Sequence, residues 1–264
     1  MTLVELNDVD IHFERMGQGT KLLFLNGSGA TISSTFPLIA SLAQHFDVVV
    51  ADQRGLGESA MPSTSYAMAD LADDAIALVD YLEWSRFCVL GVSFGGMIAQ
   101  ELAVAIPDRI ERLVLLCTSP GGVGGSSYPL HELIDMNPDE RTALYTKILD
   151  TRFTAAWLAE HEEDRALVDV LVSQQGNEKS SEVLAGEALQ MEARRGHDVS
   201  GRLRQITCRT LVAAGNYDGI APVANSAAIV EALPRGALRT YEGGHMFFLQ
   251  DPAAFPEITA FLSS

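Results

Sequence analysis

Hydrophobic and polar positions divide the chain into short apolar runs and longer stretches with helical spacing. Apolar runs without period-two alternation are typical of strands buried on both faces, and they occur at 21–25, 47–51, 87–90, 110–117 and 210–214. A last strand is predicted at 237–241. Apolar residues that recur every three or four positions predict helices at 37–46, 68–82, 96–106, 224–233 and 252–262. Strands that alternate with helices predict an α/β fold with a mostly parallel central sheet and helices on both faces.

Two parts of the chain depart from this alternation. Residues 3–10 and 11–16 predict two short strands with a tight connection near Asn7, which indicates an antiparallel edge of the sheet. After a glycine-rich loop that begins at residue 120, only helical patterns follow, at 138 onward, 154–161, 164–175 and 182–194. We therefore predict a core formed by residues 1–119 and 199–264, and a helical cap over its site formed by residues 120–198. A plain surface layer of helices is the alternative interpretation.

Composition and charge narrow the classes of function. The chain has 264 residues, 47% of them hydrophobic, and a formal net charge of -17, which repels a nucleic-acid backbone. The first residues lack a secretory signal and no run approaches membrane-spanning length, so we expect a cytoplasmic protein without membrane contact. Cys88, Cys117 and Cys208 lie in or beside apolar runs, which predicts buried thiols. A small-molecule substrate is expected, with neither metal nor cofactor; the sequence does not indicate the oligomeric state.

A serine lies in a glycine-rich turn between a predicted strand and a predicted helix. The motif G-V-S-F-G-G at 91–96 has the form of a nucleophile elbow, a sharp turn that exposes the Ser93 hydroxyl. We expect the glycines at 91 and 95 to be required because side chains there would collide with the turn. An ordinary glycine-rich turn between a strand and a helix is the alternative interpretation of the motif alone.

Two further loops carry residues that would make this serine reactive. Asp218 follows the strand at 210–214, and His245 follows the strand at 237–241. Because the carboxyl ends of parallel strands meet at one edge of a sheet, the three loops are expected to lie together. His245 would accept the Ser93 proton, and Asp218 would fix the imidazole tautomer. Considered alone, Asp218 could be a turn residue and His245 could be a surface-loop residue. Considered together with Ser93, the three residues predict a catalytic triad.

Hydrolysis by such a triad also needs two donors for the oxyanion of the reacting carbonyl group. One is the backbone N–H of Phe94, directly after the nucleophile. The other is expected from the glycine-rich loop at 26–29, where we select the Ser28 N–H, with Gly29 as the alternative donor.

Residues that contact the substrate are harder to select. Trp157, Met191 and Met246 are candidates for an apolar substrate pocket, although such side chains more often belong to the core. Arg194 and Arg195 are candidates for binding a substrate carboxylate, with a water-facing helix end as the alternative.

The chain resembles the α/β-hydrolase fold family over nearly its whole length, and five segments carry the resemblance. They are N-G-S-G at 26–29, D-Q-R-G-L-G-E-S at 52–59, G-V-S-F-G-G at 91–96, G-N-Y-D at 215–218 and G-G-H at 243–245. Within the family, the chain is most similar to small bacterial members with a helical cap, such as 3-oxoadipate enol-lactonases and related carboxylesterases. It departs from them at Asn26, which stands where the family usually has a histidine that braces the oxyanion loop.

The resemblance implies a serine hydrolase that cleaves a small carboxylic ester or lactone through an acyl-enzyme. Haloalkane dehalogenases and epoxide hydrolases of this family use an aspartate where this chain has Ser93, which argues against both activities. Carbon–carbon bond hydrolases of ring-cleavage products share the Gly-Ser-Gly loop and the triad, so they remain an alternative. A ligand-binding signalling protein that keeps the scaffold without turnover is a second alternative.

Overall fold

The computed structural model describes residues 2–133, 136–176 and 179–264. Its eight strands form a single sheet in the order β1-β2-β4-β3-β5-β6-β7-β8. Strand β2 pairs antiparallel with both β1 and β4, and all other neighbouring strands are parallel. The strands are β1 Thr2–Leu6, β2 Val9–Met16, β3 Thr20–Leu25, β4 Phe46–Ala51, β5 Phe87–Val92, β6 Ile110–Leu116, β7 Arg209–Gly215 and β8 Gly236–Tyr241. The predicted parallel sheet with an antiparallel edge is therefore confirmed.

Helices cover both faces of this sheet. They are α1 Ile32–Leu42, α2 Met68–Tyr81, α3 Phe94–Ala105, α4 Pro138–Leu149, α5 Ala155–Glu160, α6 Glu162–Gly176, α7 Ser181–Arg195, α8 Val223–Ala232, α9 Phe247–Gln250 and α10 Ala254–Ser263. Short 3-10 turns lie at Pro107–Arg109, Gly122–Gly124, Leu130–Leu133 and Leu203–Gln205. Among the described residues, no helix combines the length and the apolarity that crossing a membrane requires.

The central strands are mostly apolar because each of their faces packs against helices. In β5, Val89 belongs to the core under α2, α3 and α8, while its neighbours Cys88 and Leu90 belong to the core under α1 and α10. All six residues of β5 are buried. Side chains of a strand alternate between the two faces of a sheet, so two covered faces remove the period-two signal from the sequence.

The structure corrects the start of the first helix. The sequence predicted a helix from Pro37, whereas α1 begins at Ile32 and contains Pro37. Thr31 caps it: the Ser34 N–H donates to Thr31 Oγ1 at 3.2 Å, and the Thr31 N–H donates to Ser34 Oγ at 2.9 Å. This capping box fixes the helix start, and Pro37, the sixth residue of α1, lacks the N–H that would donate to Ser33 O.

Residues 120–198, called the cap segment below, leave the sheet after β6 and return before β7. Within the described part of this segment there are four helices, α4 to α7, and no strand. Its two ends meet, since Gly121 and Asp198 form an isolated antiparallel bridge and the Val199 N–H donates to Pro120 O at 2.9 Å. The segment thus begins and ends at one point of the sheet edge that carries the loops of Ser93 and Asp218.

Candidate active site

Ser93 occupies a strained turn between β5 and α3. Its φ of 53° and ψ of -111° lie outside the regions that residues with a side chain normally adopt. Hydrogen bonds hold the turn on both sides: the Ser93 N–H donates to Leu116 O at 2.8 Å, and Thr118 Oγ1 donates to Ser93 O at 2.7 Å. The predicted sharp turn between strand and helix is present, and the carboxyl end of β6 supports its backbone.

The two glycines of the elbow are required by its backbone rather than by the serine side chain. A Cβ at Gly91 would lie 2.4 Å from Gly95 O, and a Cβ at Gly95 would lie 2.0 Å from Leu25 O. The sequence predicted collisions with the turn, but the Gly95 collision is with the end of β3. Gly95 therefore allows the elbow to lie directly against the loop at 26–29.

The three predicted triad residues form a continuous line of hydrogen bonds. His245 Nε2 lies 2.9 Å from Ser93 Oγ, and His245 Nδ1 lies 2.8 Å from Asp218 Oδ2. The other carboxylate oxygen, Asp218 Oδ1, accepts the N–H groups of Ile220 and Ala221, both at 2.8 Å. Asp218 and His245 are 5% and 7% exposed, so bulk water does not compete for these contacts. The line has the order that nucleophilic attack by Ser93 requires.

The loop that carries His245 is also held from both sides. The His245 N–H donates to Leu149 O at 2.6 Å, at the end of α4 in the cap segment. The preceding Gly244 N–H donates to Gln250 Oε1 at 2.9 Å, on α9. The position of the imidazole therefore depends on the cap segment as well as on the sheet.

The surroundings of the imidazole alter its proton affinity. Burial by itself lowers the pKa of His245, but the Asp218 carboxylate and, to a lesser extent, Cys117 raise it, and the net pKa lies well above the ordinary value of 6.5. A carboxylate within hydrogen-bond distance stabilises the imidazolium more than burial destabilises it. His245 is therefore a strong proton acceptor when it is neutral.

The two predicted oxyanion donors lie on adjoining segments. The Phe94 N–H is in the first turn of α3, where no helical carbonyl can accept it. In the loop at 26–29, the Gly29 N–H donates to Gln190 Oε1 of the cap segment at 2.8 Å. Among the described residues, no acceptor takes the Ser28 N–H. Of the two donors that the sequence left open, Gly29 is thus engaged and Ser28 is free.

Comparison with known proteins identifies the family of this chain. A family model described as the alpha/beta hydrolase fold matches residues 21–252. The chain belongs to the α/β-hydrolase fold family. This confirms the resemblance and the fold class predicted from the sequence.

Relatives of this α/β-hydrolase span nearly its whole length. It is 29% identical over 246 residues to a poly(3-hydroxyalkanoate) depolymerase of Ectopseudomonas oleovorans, covering 92% of this chain and 84% of the relative. It is 28% identical over 251 residues to 3-oxoadipate enol-lactonase 2 of Acinetobacter baylyi, covering 94% and 91%. The crystal structure of the enol-lactonase from Burkholderia xenovorans LB400 superposes with a TM-score of 0.82 at 21% identity, with both chains covered completely.

The predicted substrate contacts of this α/β-hydrolase differ in their surroundings. Trp157 on α5 stacks on His161 at 3.7 Å between ring centroids, and its Nε1 donates to Asp164 Oδ2 at 2.7 Å. Met246 is half-buried and packs against apolar clusters of both the sheet and the cap segment. Met191 is half-buried on α7. The contacts of Trp157 are internal to the cap segment, whereas Met246 directly follows His245; all three substrate roles stay predictions.

The adjacent arginines at the end of α7 have different environments. Arg195 is exposed, whereas Arg194 is half-buried, and its Nη2 donates to Ser127 Oγ at 2.7 Å and to Tyr128 O at 2.8 Å. Burial lowers the pKa of Arg194 to about 10. The Tyr128 N–H donates to Ile220 O at 2.7 Å, two residues beyond Asp218. Arg194 is therefore linked through Tyr128 to the loop that carries Asp218.

Sequence reasoning missed one buried residue of the site, Gln190. It is fully buried on α7, where its side chain reaches both Gly29 and Gln53. Gln53 belongs to the segment 52–59 that carries part of the family resemblance, but the motif alone does not show what its amide contacts. A glutamine on a mostly polar helix gives no signal, because its periodicity does not separate a buried amide from an exposed one.

Proposed function

We propose that this α/β-hydrolase is a serine hydrolase that cleaves a small carboxylic ester or lactone through an acyl-enzyme. The observation that carries the proposal is the hydrogen-bonded line from Ser93 Oγ through the His245 imidazole to the Asp218 carboxylate. A serine hydroxyl becomes a useful nucleophile only when a base within hydrogen-bond distance takes its proton. The free N–H groups of Phe94 and Ser28 supply the second requirement, donors for the oxyanion.

The reaction proceeds in two halves. Ser93 Oγ attacks the carbonyl carbon and gives its proton to His245 Nε2, while Asp218 stabilises the imidazolium and the N–H groups of Phe94 and Ser28 bind the oxyanion. His245 then protonates the leaving alkoxide, which leaves an acyl group on Ser93. Water gives a proton to His245 as it attacks the acyl carbon. Collapse of this second intermediate releases the carboxylic acid and returns the proton to Ser93.

The names of two relatives support ester chemistry. One is an enol-lactonase, and a lactone is a cyclic ester; the other depolymerises a poly(3-hydroxyalkanoate). A single triad with one oxyanion hole acts on an acyl–oxygen bond in a ring or in a chain by the same steps. A small ester or lactone is therefore the substrate class we propose.

Arg194 supports a narrower class, substrates that also carry a carboxylate. Within the part of the chain that the structure describes, Arg194 has only neutral oxygen partners, whereas seven other arginines pair with carboxylates: Arg15, Arg54, Arg86, Arg109, Arg152, Arg165 and Arg202. It lies four residues after Gln190, about one helical turn or 6 Å along α7. Gln190 contacts the loop at 26–29, and Arg194 is linked through Tyr128 to the Asp218 loop. A half-buried guanidinium there would bind a substrate carboxylate.

The proposal is tested by activity and by labelling of the nucleophile. We expect the purified chain to hydrolyse p-nitrophenyl acetate or a member of a lactone panel, and a fluorophosphonate to add one phosphonyl group to the peptide that contains Ser93. Ser93→Ala abolishes both, whereas Ser173→Ala, an exposed serine on α6, keeps both. Full esterase activity in Ser93→Ala would overturn the proposal.

The same assays, with a ring-cleavage product added to the panel, separate the two alternatives. Saturable binding of esters or lactones without turnover points to the ligand-binding signalling protein. Cleavage of a ring-cleavage product at a carbon–carbon bond, without hydrolysis of any ester or lactone, points to the carbon–carbon bond hydrolase.

A further inference from the structure

A chain of buried side-chain amides joins the cap segment to the loop at 26–29. The Gly29 N–H donates to Gln190 Oε1 at 2.8 Å, Gln190 Nε2 donates to Gln53 Oε1, and Gln53 Nε2 donates to Asn26 O at 2.9 Å. We call these two side chains, Gln53 and Gln190, the amide bridge. It begins and ends on the backbone of the same four-residue loop, and its two end points bracket Ser28.

Close packing of α7 on the core makes this bridge possible. A Cβ at Gly186 would lie 2.0 Å from Gly55 O, so at this point the helix backbone rests directly on the backbone of segment 52–59. Gln190 is one turn further along α7 and faces the same way. Its side chain is fully buried, and Gln53 is 9% exposed. Both amides are therefore removed from water and depend on each other for hydrogen bonds.

The side chain of Asn26 gives the loop no comparable support. Neither Oδ1 nor Nδ2 of the Asn26 side chain has a hydrogen-bond partner among the described residues. The loop is held instead through its backbone, at Asn26 O and at the Gly29 N–H. The amide bridge thus supports the loop from the cap segment, whereas the side chain of Asn26 gives the loop no support.

We propose that Gln190 is a positioning residue that fixes the oxyanion hole from the cap segment. By engaging the Gly29 N–H and, through Gln53, the Asn26 carbonyl, it holds the loop so that the free Ser28 N–H points at the substrate carbonyl oxygen. This inference rests on the proposed function. The inference gives the cap segment a role in transition-state stabilisation, in addition to any role in substrate binding.

The position of Ser28 matters more for the transition state than for substrate binding. An oxyanion donor makes its full hydrogen bond only when charge develops on the carbonyl oxygen. Loss of the bridge should therefore lower kcat and leave KM nearly unchanged. A purely structural role would instead lower the fraction of folded protein and leave the kinetics of the folded molecules as they were.

The test compares Gln190→Met, a side chain of similar length without hydrogen-bonding groups, with the wild type. We expect kcat for p-nitrophenyl acetate to fall about 10- to 100-fold with KM within about twofold, because a slightly misplaced donor loses much of its effect. The affinity for an alkyl trifluoromethyl ketone, whose adduct with Ser93 carries the oxyanion, should fall by the same factor. Glu192→Gln, on an exposed position of α7, is the matched control and keeps all three values.

The outcomes separate this inference from the proposed function. Unchanged kcat and unchanged ketone affinity in folded Gln190→Met overturn the positioning role, even if the wild type is active and labelled at Ser93. An inactive and unlabelled wild type overturns the proposed function itself. Circular dichroism shows whether Gln190→Met is folded; if it is not, Gln53→Met, which removes the contact to Asn26 O, decides by the same criteria.

Discussion

Asp218 holds His245 with one carboxylate oxygen and its own loop with the other. Oδ2 lies 2.8 Å from His245 Nδ1, while Oδ1 accepts two backbone N–H groups at 2.8 Å each. The two functions are therefore separated between two atoms of one side chain. This allows a substitution that damages the first and spares the second.

Asp218→Asn is that substitution. The amide oxygen can still accept the N–H groups of Ile220 and Ala221, but the amide nitrogen then faces His245 Nδ1 and favours the wrong imidazole tautomer. We expect kcat to fall about 10³- to 10⁴-fold, as for the same change in the serine-protease triad, with the melting temperature nearly unchanged. Asp218→Ala, which also removes the loop contacts, should lower both. Equal loss of stability in the two variants would contradict the separation of functions.

The raised pKa of His245 predicts an alkaline activity profile. Attack by Ser93 requires neutral imidazole, so kcat/KM should rise with pH, and its acid limb should have a midpoint above the ordinary histidine value of 6.5. Asp218→Asn removes the carboxylate that raises the pKa, so the limb of its residual activity should move to lower pH. A wild-type midpoint at or below 6.5 contradicts the prediction.

The same shift links protonation to stability. Because the pKa of His245 is higher in the folded than in the unfolded state, proton binding stabilises the fold. This contribution is fully present below the unfolded value of 6.5 and is lost as pH rises through the folded pKa. Urea unfolding of the wild type and His245→Gln should therefore give a difference in unfolding free energy that shrinks above neutral pH, by about 1.4 kcal/mol per pH unit between the two pKa values. A difference in unfolding free energy that grows with pH would contradict the prediction.

Gly95 should be intolerant of the smallest side chain. The Cβ of Gly95→Ala would lie 2.0 Å from Leu25 O, and backbone on both sides leaves no flexible side chain to move. We expect a loss of about 2–4 kcal/mol in the free energy of unfolding, with loss of activity because the loop at 26–29 is displaced. Gly201→Ala is the control: a Cβ there meets nothing within 4 Å, so its unfolding curve should overlay that of the wild type.

Arg194 should discriminate between acidic and neutral substrates. We expect Arg194→Met to raise KM about 10- to 100-fold for an ester or lactone that carries a carboxylate, because a partly buried charged hydrogen bond is lost. KM for a neutral ester of similar size should stay within about twofold. Arg195→Met, at the exposed neighbouring position, is the matched control and should change neither value. Equal effects on acidic and neutral substrates would show that Arg194 only supports the fold.

The core of the fold and the three residues of the hydrogen-bonded line could be predicted from sequence. Apolar runs marked the central strands because both faces of the sheet are covered, and parallel strands bring Ser93, Asp218 and His245 to one edge regardless of their distance in sequence. The start of α1 was predicted wrongly, since Pro37 is a strong local signal and the Thr31 capping box lies outside the apolar pattern.

The sequence by itself thus determined the strands and helices that are buried as whole elements. It also determined turns that only glycine permits at certain positions, such as the elbow around Ser93. Only the tertiary structure decided which side chains of the cap segment face the core. Arg194 and Arg195 are neighbours of one residue type, yet only the first is half-buried, and Gln190 is fully buried on a largely polar helix. These orientations depend on the rotation of α7 about its axis, which its close contact at Gly186 and Gly55 fixes and which no local pattern encodes.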